Sequence, residues 1–494
     1  MDKIPEKKVL LINPPGLKQT GFFCPPLGLL YLAGTLKDKG IDVKLIDGCI
    51  SGWSGVGDKI RSYSPDIVGI PCHTSARKKS LAVAKMVKDI NRNTIVVMGG
   101  AHPTIMYQQL LEHYDDVDIV VRGEGEIALL EIAQGIDLDK IDGIVYRDGA
   151  NVIKNSERQY VDNLDMLPFP AWDIIADTLW EYPTVFPKEF KNYNGVDLSH
   201  GPRVSVIYSR GCKGHCDFCS SWWIWKKWRY RSAKNMVDEL EWLYESFKIR
   251  HFCFADDALT MDRQAIIDLC DEIVKRNLNI AFSATTRSDC VDLEILEKLK
   301  QAGCYEVAYG IETVSPKLLS RMNKENNIHN AETAIVLTKR AGLKPGALLI
   351  VGNVGETEET IDETIDFLEK FDVGSIGVVG GLWIFPGTGL YRHAKKLGII
   401  DDNFWLGNEP YMVYTHEHSL RRLRFFTHAI RNRKKLSEMT FKYRLIYVLR
   451  TYIGGFEQKA LSIISKYPVI DRVVSGLYPA VRRNVSRIVR SLEG

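Results

Sequence analysis

The chain is expected to fold as two parallel α/β units with a helical extension. These are a doubly wound α/β domain over residues 1–140, a hairpin and proline-bearing linker over 141–202, a partial (β/α)6 barrel over 203–400, and a basic helical region over 401–494. Three observations predict this. At 494 residues the chain is too long for one hydrophobic core, because domains usually run to about 100–200 residues. Short apolar, β-branched runs alternate with amphipathic helical stretches in two separate series. Between the series, prolines gather from 163 to 202 where periodic signals fade, which marks a domain boundary.

The first series reads "KVLLINPP", "LGLLYLAGTLKDKG", "DVKLIDG", "DIVGIPC", "SLAVAKMVKDINRN", "TIVVMGG" and "DIVVRGEGE". Its strand-like runs are nearly continuous in apolar residues, as strands covered on both faces of a parallel sheet must be. Open sheets of this kind bind ligands beyond the carboxyl ends of their strands. Asn13, Pro14, Pro15, Cys72, His73, Gly99, Gly100 and His102 fall there. After the hairpin "IDGIVYRDGANVIKNSERQYV" and the linker, the second series gives six strands: "RVSVIYSRG", "HFCFADD", "IAFSATTRSD", "YEVAYGIE", "GALLIVGN" and "SIGVVGGLWIF". Six βα units of one direction make a partial parallel barrel whose site lies at the carboxyl ends of its strands.

Composition excludes several classes. Apolar residues make up 45% and charged residues 26%, ordinary for a folded globular protein. Ten cysteines in so long a chain, and an opening "MDKIPEKKVLLINPP" without a secretory pattern, argue against a disulfide framework and for a cytoplasmic location. No apolar stretch reaches the ~18–20 residues that cross a bilayer. The net charge is +3, but residues 421–494 alone carry 17 Lys+Arg against 4 Asp+Glu.

Cys212, Cys216 and Cys219 have the spacing C-x3-C-x2-C, on the loop after the first barrel strand. Three thiolates so spaced can hold three corners of an iron–sulfur cube and leave the fourth iron open to a small molecule. Zinc is the alternative, although structural zinc prefers four protein ligands in paired spacings and no second pair follows here. Three unliganded core thiols are a further alternative.

The triplet, followed in order by "FADDALT", "TTRSD", "GIET", "NVGETEETI" and "FPGTGLY", resembles the radical S-adenosylmethionine enzymes. "GGAHPT" and "VVRGEGE" resemble the Rossmann-like cobalamin-binding domain that a subgroup of them carries at the N-terminus, the class B methylases and the anaerobic magnesium-protoporphyrin cyclases among them. The resemblance covers residues 8 to about 400. It implies a [4Fe-4S] cluster on the three cysteines, which would be the catalytic and metal-binding residues, with S-adenosylmethionine chelated at the open iron. An electron from an external one-electron reductant would then split the sulfonium and give a 5′-deoxyadenosyl radical. It also implies that Phe218 lies near the adenine, that Asp256 and Asp257 meet an ammonium or hydroxyls, and that Glu312 faces a ribose. As residues alone, these acids are equally well read as helix caps or as ion pairs with Arg287.

The first domain departs from the D-x-H-x-x-G pattern of methionine-synthase-type cobalamin domains. It reads "DGCISG", with Cys49 where the cobalt-ligating His would stand, so no histidine ligand is expected. Asn13, Ser75, Gly99 and Gly100 would suit a cobalamin nucleotide tail threading between strand ends.

Trp222, Trp223, Trp225 and Trp228 are expected on a helix after the cysteine loop, most of them as core and one or two as a wall of the site. Arg229 and Arg231 are expected to meet phosphate or carboxylate, or solvent. The basic, aromatic-rich tail is read as an amphipathic surface for anionic membrane, with packing on the barrel as the competing reading and nucleic acid disfavoured for want of a binding module. Cys253, Cys270, Cys290 and Cys304 are expected mostly in the core. The resemblance implies a cobalamin-dependent methyltransferase acting on an unactivated carbon, and the basic tail, read as a membrane surface, points to a hydrophobic, lipid-like substrate. The alternatives are cyclisation or C–C bond formation on a lipid or porphyrin-like substrate without methyl transfer, and an iron–sulfur electron carrier.

Overall fold

The computed structural model describes residues 7–16, 24–182, 192–198, 201–409 and 411–439. In the first domain, β1 (Val9–Asn13), β2 (Val43–Asp47), β3 (Ile67–Pro71), β4 (Ile95–Gly99) and β5 (Ile119–Val121) are parallel, in the order β2-β1-β3-β4-β5. Alternation decides the composition of β1: Val9 and Leu11 face α1 (Leu27–Asp38), while Leu10 and Ile12 face the core under α2 (Gly48–Tyr63) and α3 (Arg77–Ile90). With both faces covered, no polar residue fits before Asn13. The hairpin β6 (Ile144–Asp148) and β7 (Asn151–Lys154) is antiparallel and extends this sheet beyond β5. Strand order reverses between β1 and β3, so the crevice such sheets offer to ligands opens beside Asn13 and Cys72.

The second sheet is the partial barrel. Its strands Val204–Val206, His251–Phe254, Ala281–Thr286, Cys304–Glu312, Lys344–Val351 and Ser375–Gly380 are parallel and adjacent in chain order, and the first and last do not pair. Helix starts follow the caps in the sequence. Asp262, Asp292 and Asn327 accept from the amides of Ala265, Ile295 and Asn330, and Thr357 and Thr360 form a reciprocal capping box.

Two segments after the barrel close the molecule. Residues 382–414 have their own small core of Ile384, Leu390, Tyr391, Trp405 and Tyr414, and they dock on the first domain. There Arg77 Nε donates to Trp405 O (2.9 Å), Arg77 Nη2 to Gly407 O (3.1 Å) and Lys78 Nζ to Leu406 O (2.7 Å). Helix Leu420–Arg431 lays Leu423, Phe426, Ala429 and Ile430 on the barrel, and Arg431 donates to Val378 O (3.2 Å). The start of the basic tail is therefore packed on the barrel; residues 440–494 lie outside the described residues. Among the described residues no helix is long and apolar enough to cross a membrane. None of the ten cysteines is in a disulfide, and Cys270 and Cys304 are buried while Cys253 and Cys290 are half-buried.

His102, placed by the sequence at a ligand-facing strand end, is instead buried in the seam between the first domain and the 382–414 segment. Its Nδ1 is 3.3 Å from Thr74 Oγ1 and its ring lies 5.9 Å from that of Trp405. Burial, then Arg77, pushes its pKa from 6.5 down to about 3. A base whose pKa is lowered on folding contributes stability above its unfolded value and loses it as the pH falls. Comparing urea denaturation of wild type with His102→Gln should therefore show the wild type's stability falling faster below pH 6.5, by up to about 1.4 kcal/mol per pH unit. Parallel pH profiles would contradict this burial.

Candidate active site

The cysteine loop is closed at its neck by a short antiparallel ladder, Ser209 opposite Tyr230 and Arg210 opposite Arg229. Gly211 enters it at φ +94°, and a Cβ there would lie 2.4 Å from Lys227 O, so only glycine fits. Cys212, Cys216 and Cys219 are all half-buried. Backbone amides point at two of the sulfurs: Gly214 N lies 3.3 Å from Cys212 Sγ and Ser221 N 3.4 Å from Cys219 Sγ. Burial pushes the Cys216 thiol up and that of Cys219 up to about 12, so these sulfurs need a bound cation before they ionise at neutral pH. Among the described residues no three His, Cys, Asp or Glu side chains converge on a single-ion site. Amides aimed at sulfur are the usual second shell of such a group. The residues fit the cluster.

Two cations stand beside this loop, Arg287 directly after a strand and Lys324 between two helices. Arg287 presses on Gly214, donates to Asp289 (2.9 and 2.6 Å) and reaches Glu325 O (2.6 Å). Lys324 pairs with Glu312 at 2.9 Å, and Glu312 sits in the left-handed region at φ +65°. Arg287 thus pairs with Asp289, and not with the acids of "FADDALT" as the sequence reading allowed. Asp256 is fully buried and accepts from Tyr208 N (3.3 Å), Ser209 N (2.5 Å) and Ser209 Oγ (2.5 Å). It braces the neck of the loop; burial raises its pKa to about 6 against those donors. Asp257 accepts from Ser221 Oγ (2.5 Å) and so lies against the Cys219 end of the loop.

Next to the loop is a cleft of about 410 Å³. Phe218, Met322, Val354, Leu382 and Leu390 form its apolar wall, and Asp217, Arg321, His393 and Glu417 its polar one. Its floor is tied to the loop, since Asp217 N donates to Met322 O (2.9 Å) and Leu390 N to Asp217 O (2.9 Å). Apart from Phe218, none of these residues stood out in the sequence. They come from five separate segments, 217–218, 321–322, 354, 382–393 and 417, and of them only Val354 and Leu390 fall in quoted motifs, "NVGETEETI" and "FPGTGLY".

In the first domain, Asn13 Nδ2 donates to Asp47 Oδ1 (2.8 Å), and the same carboxylate caps α2 through Cys49 N (2.9 Å) and accepts from Tyr182 (2.6 Å). Burial raises the Cys49 thiol to about 11. Ser75 is exposed on the turn after β3. Gly100 has φ +104°, and its Cβ would meet Cys72 O at 3.2 Å; at Gly99 a Cβ would make only ordinary contacts. The constraint on Gly100 comes from the protein's own backbone.

The domains meet through charges of which the sequence reading singled out only Arg229, as a partner of carboxylate among other readings. Arg210, two residues before Cys212, pairs with Glu124 (2.8 Å) and Glu126 (2.7 Å) of "VVRGEGE", and Arg229 pairs with Glu124 (3.0 Å). Each of these side chains is 5–8% exposed. Arg229 and Arg231 are therefore buried in ion pairs, the latter with Glu239, and are neither solvated nor open to phosphate. Nε and Nη2 of Arg229 are buried donors that no described protein atom satisfies. The tryptophans also differ from expectation. The helix after the loop spans only Ser221–Trp225; Trp222, Trp225 and Trp228 are half-buried and Trp223 is 37% exposed.

Residues 16–133 match the family model of the B12 binding domain, and residues 206–368 that of the Radical SAM superfamily. The chain is 31% identical over 454 residues to the uncharacterized methyltransferase PH0819 of Pyrococcus horikoshii, covering 90% of this chain and 93% of that one. It is 33% identical over 355 residues to the anaerobic magnesium-protoporphyrin IX monomethyl ester cyclase of Rubrivivax gelatinosus; that covers 69% of this chain but 61% of the relative, less than two thirds of its length. Among solved structures, the cobalamin-dependent S-adenosylmethionine radical enzyme OxsB with aqua-cobalamin and S-adenosylmethionine bound is similar in fold, with a TM-score of 0.70 at 19% identity over 86% of this chain and 66% of that one.

Lys324→Met should destabilise the barrel by about 3–5 kcal/mol, because it leaves the Glu312 carboxylate nearly buried and unpaired. Adding Glu312→Gly should restore more than half of this, since it removes the second charge and the left-handed strain together. Urea denaturation followed by tryptophan fluorescence measures both; no recovery in the double variant would contradict the pairing.

Proposed function

The chain belongs to the radical S-adenosylmethionine enzymes that carry an N-terminal B12-binding domain, and on that footing we propose that it is a methyltransferase acting on an unactivated carbon of a hydrophobic, lipid-like substrate. The observation that carries the proposal is the buried set of ion pairs joining Arg210, beside Cys212, to Glu124 and Glu126 of the first domain. It supports a single site built from both domains. A four-iron cluster on Cys212, Cys216 and Cys219 would supply the electron that cleaves bound S-adenosylmethionine, and a corrinoid on the first domain would supply the methyl group.

The protein's own contributions follow from the geometry. The amides of Gly214 and Ser221 donate to the sulfurs of Cys212 and Cys219 and fix where they point. Arg287, Lys324 and Glu312 present paired charges to the amino-acid and ribose portions of a cosubstrate, and Phe218 an aromatic face to its adenine. The apolar wall of the cleft supports a hydrophobic substrate and keeps water from a carbon radical. The identity to the cyclase favours a second reading, ring closure without methyl transfer.

Location at a membrane face is part of the same proposal and rests on the charge of the tail, most of which follows residue 439. Each basic residue near an anionic surface contributes ~1 kcal/mol, so the protein should sediment with anionic vesicles at low salt and be released by raising it. If it ignores such vesicles at low salt, the membrane element fails.

Anaerobically reconstituted protein, given corrinoid, dithionite, S-adenosylmethionine with a deuterated methyl group and a lipid extract, should yield 5′-deoxyadenosine and a lipid carrying the label. Cys212→Ala, Cys216→Ala or Cys219→Ala should each lose the visible iron–sulfur absorbance and the 5′-deoxyadenosine. A product without labelled methyl would support ring closure instead. Full 5′-deoxyadenosine formation in a variant lacking all three cysteines would overturn the site.

A further inference from the structure

The concave inner face of the second sheet is left unused by this reading. Along Cys304–Glu312, the side chains of Val307, Tyr309 and Ile311 are buried under the outer helices, while Ala308 and Gly310 face inward and stay half-buried. Lys344–Val351 repeats the pattern: Ala347, Leu349 and Val351 face out, whereas Leu348 and Ile350 face in and keep solvent access. A closed eight-stranded barrel fills its interior with side chains. Six strands whose first and last do not pair leave that interior as a groove. Leu348, which lies over Gly377, together with Ile350 and the exposed Val379 gives the groove an apolar wall.

The far end of the groove, at the start of the strands, carries a charge. A register shift opposite Phe282 and Ser283 leaves Tyr305 as an extra residue between Cys304 and Glu306. Bulges of this kind re-aim the side chains beside them. Cys304 faces the helices, and Tyr305 packs with Ala281, Val196 and Leu198 into a closed floor. Glu306 stands above that floor on the inner face, half-buried, and a Cβ at Gly346 would come within 3.2 Å of its Oε1. Among the described residues no side chain donates to this carboxylate, and the cations around it are turned elsewhere. Arg203, which feels the charge of Glu306, donates to Ser283, and Lys324 pairs with Glu312. Lys344, opposite Glu306 in the register, lies along Gly374.

We propose that Glu306 sets the specificity of the site by taking a protonated amine at the far end of a hydrophobic substrate. The proposal rests on the lipid-like reading above and adds a cationic head to it. A half-buried carboxylate without a donor is best satisfied by a charged one, because such hydrogen bonds are about twice as strong as neutral ones. The apolar wall between Glu306 and the strand ends suits a hydrocarbon chain. Glu306 precedes Glu312 by six residues on one strand, roughly 20 Å. The substrate is therefore elongated, with its amine remote from the carbon that reacts beside the cysteine loop.

Full-length reconstituted protein titrated by calorimetry with decylamine and with decanol, which share one hydrocarbon chain, tests this. Decylamine should bind at least about tenfold more tightly than decanol. Glu306→Gln should abolish that preference while the decanol affinity and the urea midpoint stay unchanged. Leu348→Ala should weaken both probes alike. No binding of decylamine, equal binding of the two probes by the wild type, or a preference that survives Glu306→Gln would overturn the proposal. The basic tail repels an ammonium and cannot imitate the expected result. Calorimetry needs no turnover, so absence of labelled product in the lipid assay and absence of the amine preference are separate failures.

Discussion

The structure depends on a buried charge cluster at the seam between its two α/β units. Arg210 and Arg229 of the barrel meet Glu124 and Glu126 of the first domain with almost no solvent access. Taking four charges out of water costs several kcal/mol each unless the geometry returns it. Here each carboxylate meets at least one guanidinium at 2.7–3.0 Å, and Arg210 also lies over the ring of Tyr31 at 5.0 Å. Burial works against the Glu126 carboxylate, but Arg210 outweighs it and holds the pKa below the ordinary value. Such a cluster tolerates little displacement, because any shift strands a charge in a dry seam.

The site inherits its geometry from that seam. Arg210 is separated from Cys212 only by Gly211, whose positive φ turns the chain into the loop, so fixing Arg210 fixes where the loop begins. Asp256 fixes the same neck from the barrel side through Ser209 and Tyr208. A second tie, Arg77 and Lys78 to carbonyls of Trp405, Leu406 and Gly407, holds the segment that contributes Leu382, Leu390 and His393 to the cleft. The turn after β5 and the neck of the cysteine loop are thereby held against one another.

Much of this was legible in the sequence, for identifiable reasons. Strands such as "VLLIN" and "ALLIV" are apolar throughout because both faces are covered, and three cysteines at C-x3-C-x2-C sit where a barrel strand ends. The seam was not legible. Arg210 and Glu124 are 86 residues apart, and in sequence each looks like an ordinary surface charge. "VVRGEGE" reads as a strand end and as a likeness, while its acids serve as partners for barrel arginines. Asp256 and Asp257 are neighbours with different duties, set by the donors each one faces: the amides of Tyr208 and Ser209 for Asp256, the Ser221 hydroxyl for Asp257. The tryptophans of 222–228 misled because composition favours the core, whereas a helix of five residues on a loop has no interior to offer. The cleft drew on Asp217, Arg321, His393 and Glu417, a combination that no local pattern announces.

The central claim is that the Arg210–Glu126 contact couples the two domains, and a double-mutant cycle tests it most directly. Stabilities of the wild type, Arg210→Met, Glu126→Gln and the double variant would be measured by urea denaturation under one condition. The account predicts a coupling energy above about 1.5 kcal/mol, with the double variant much less destabilised than the sum of the single ones. Additivity within about 0.5 kcal/mol would contradict it and leave the two domains merely adjacent.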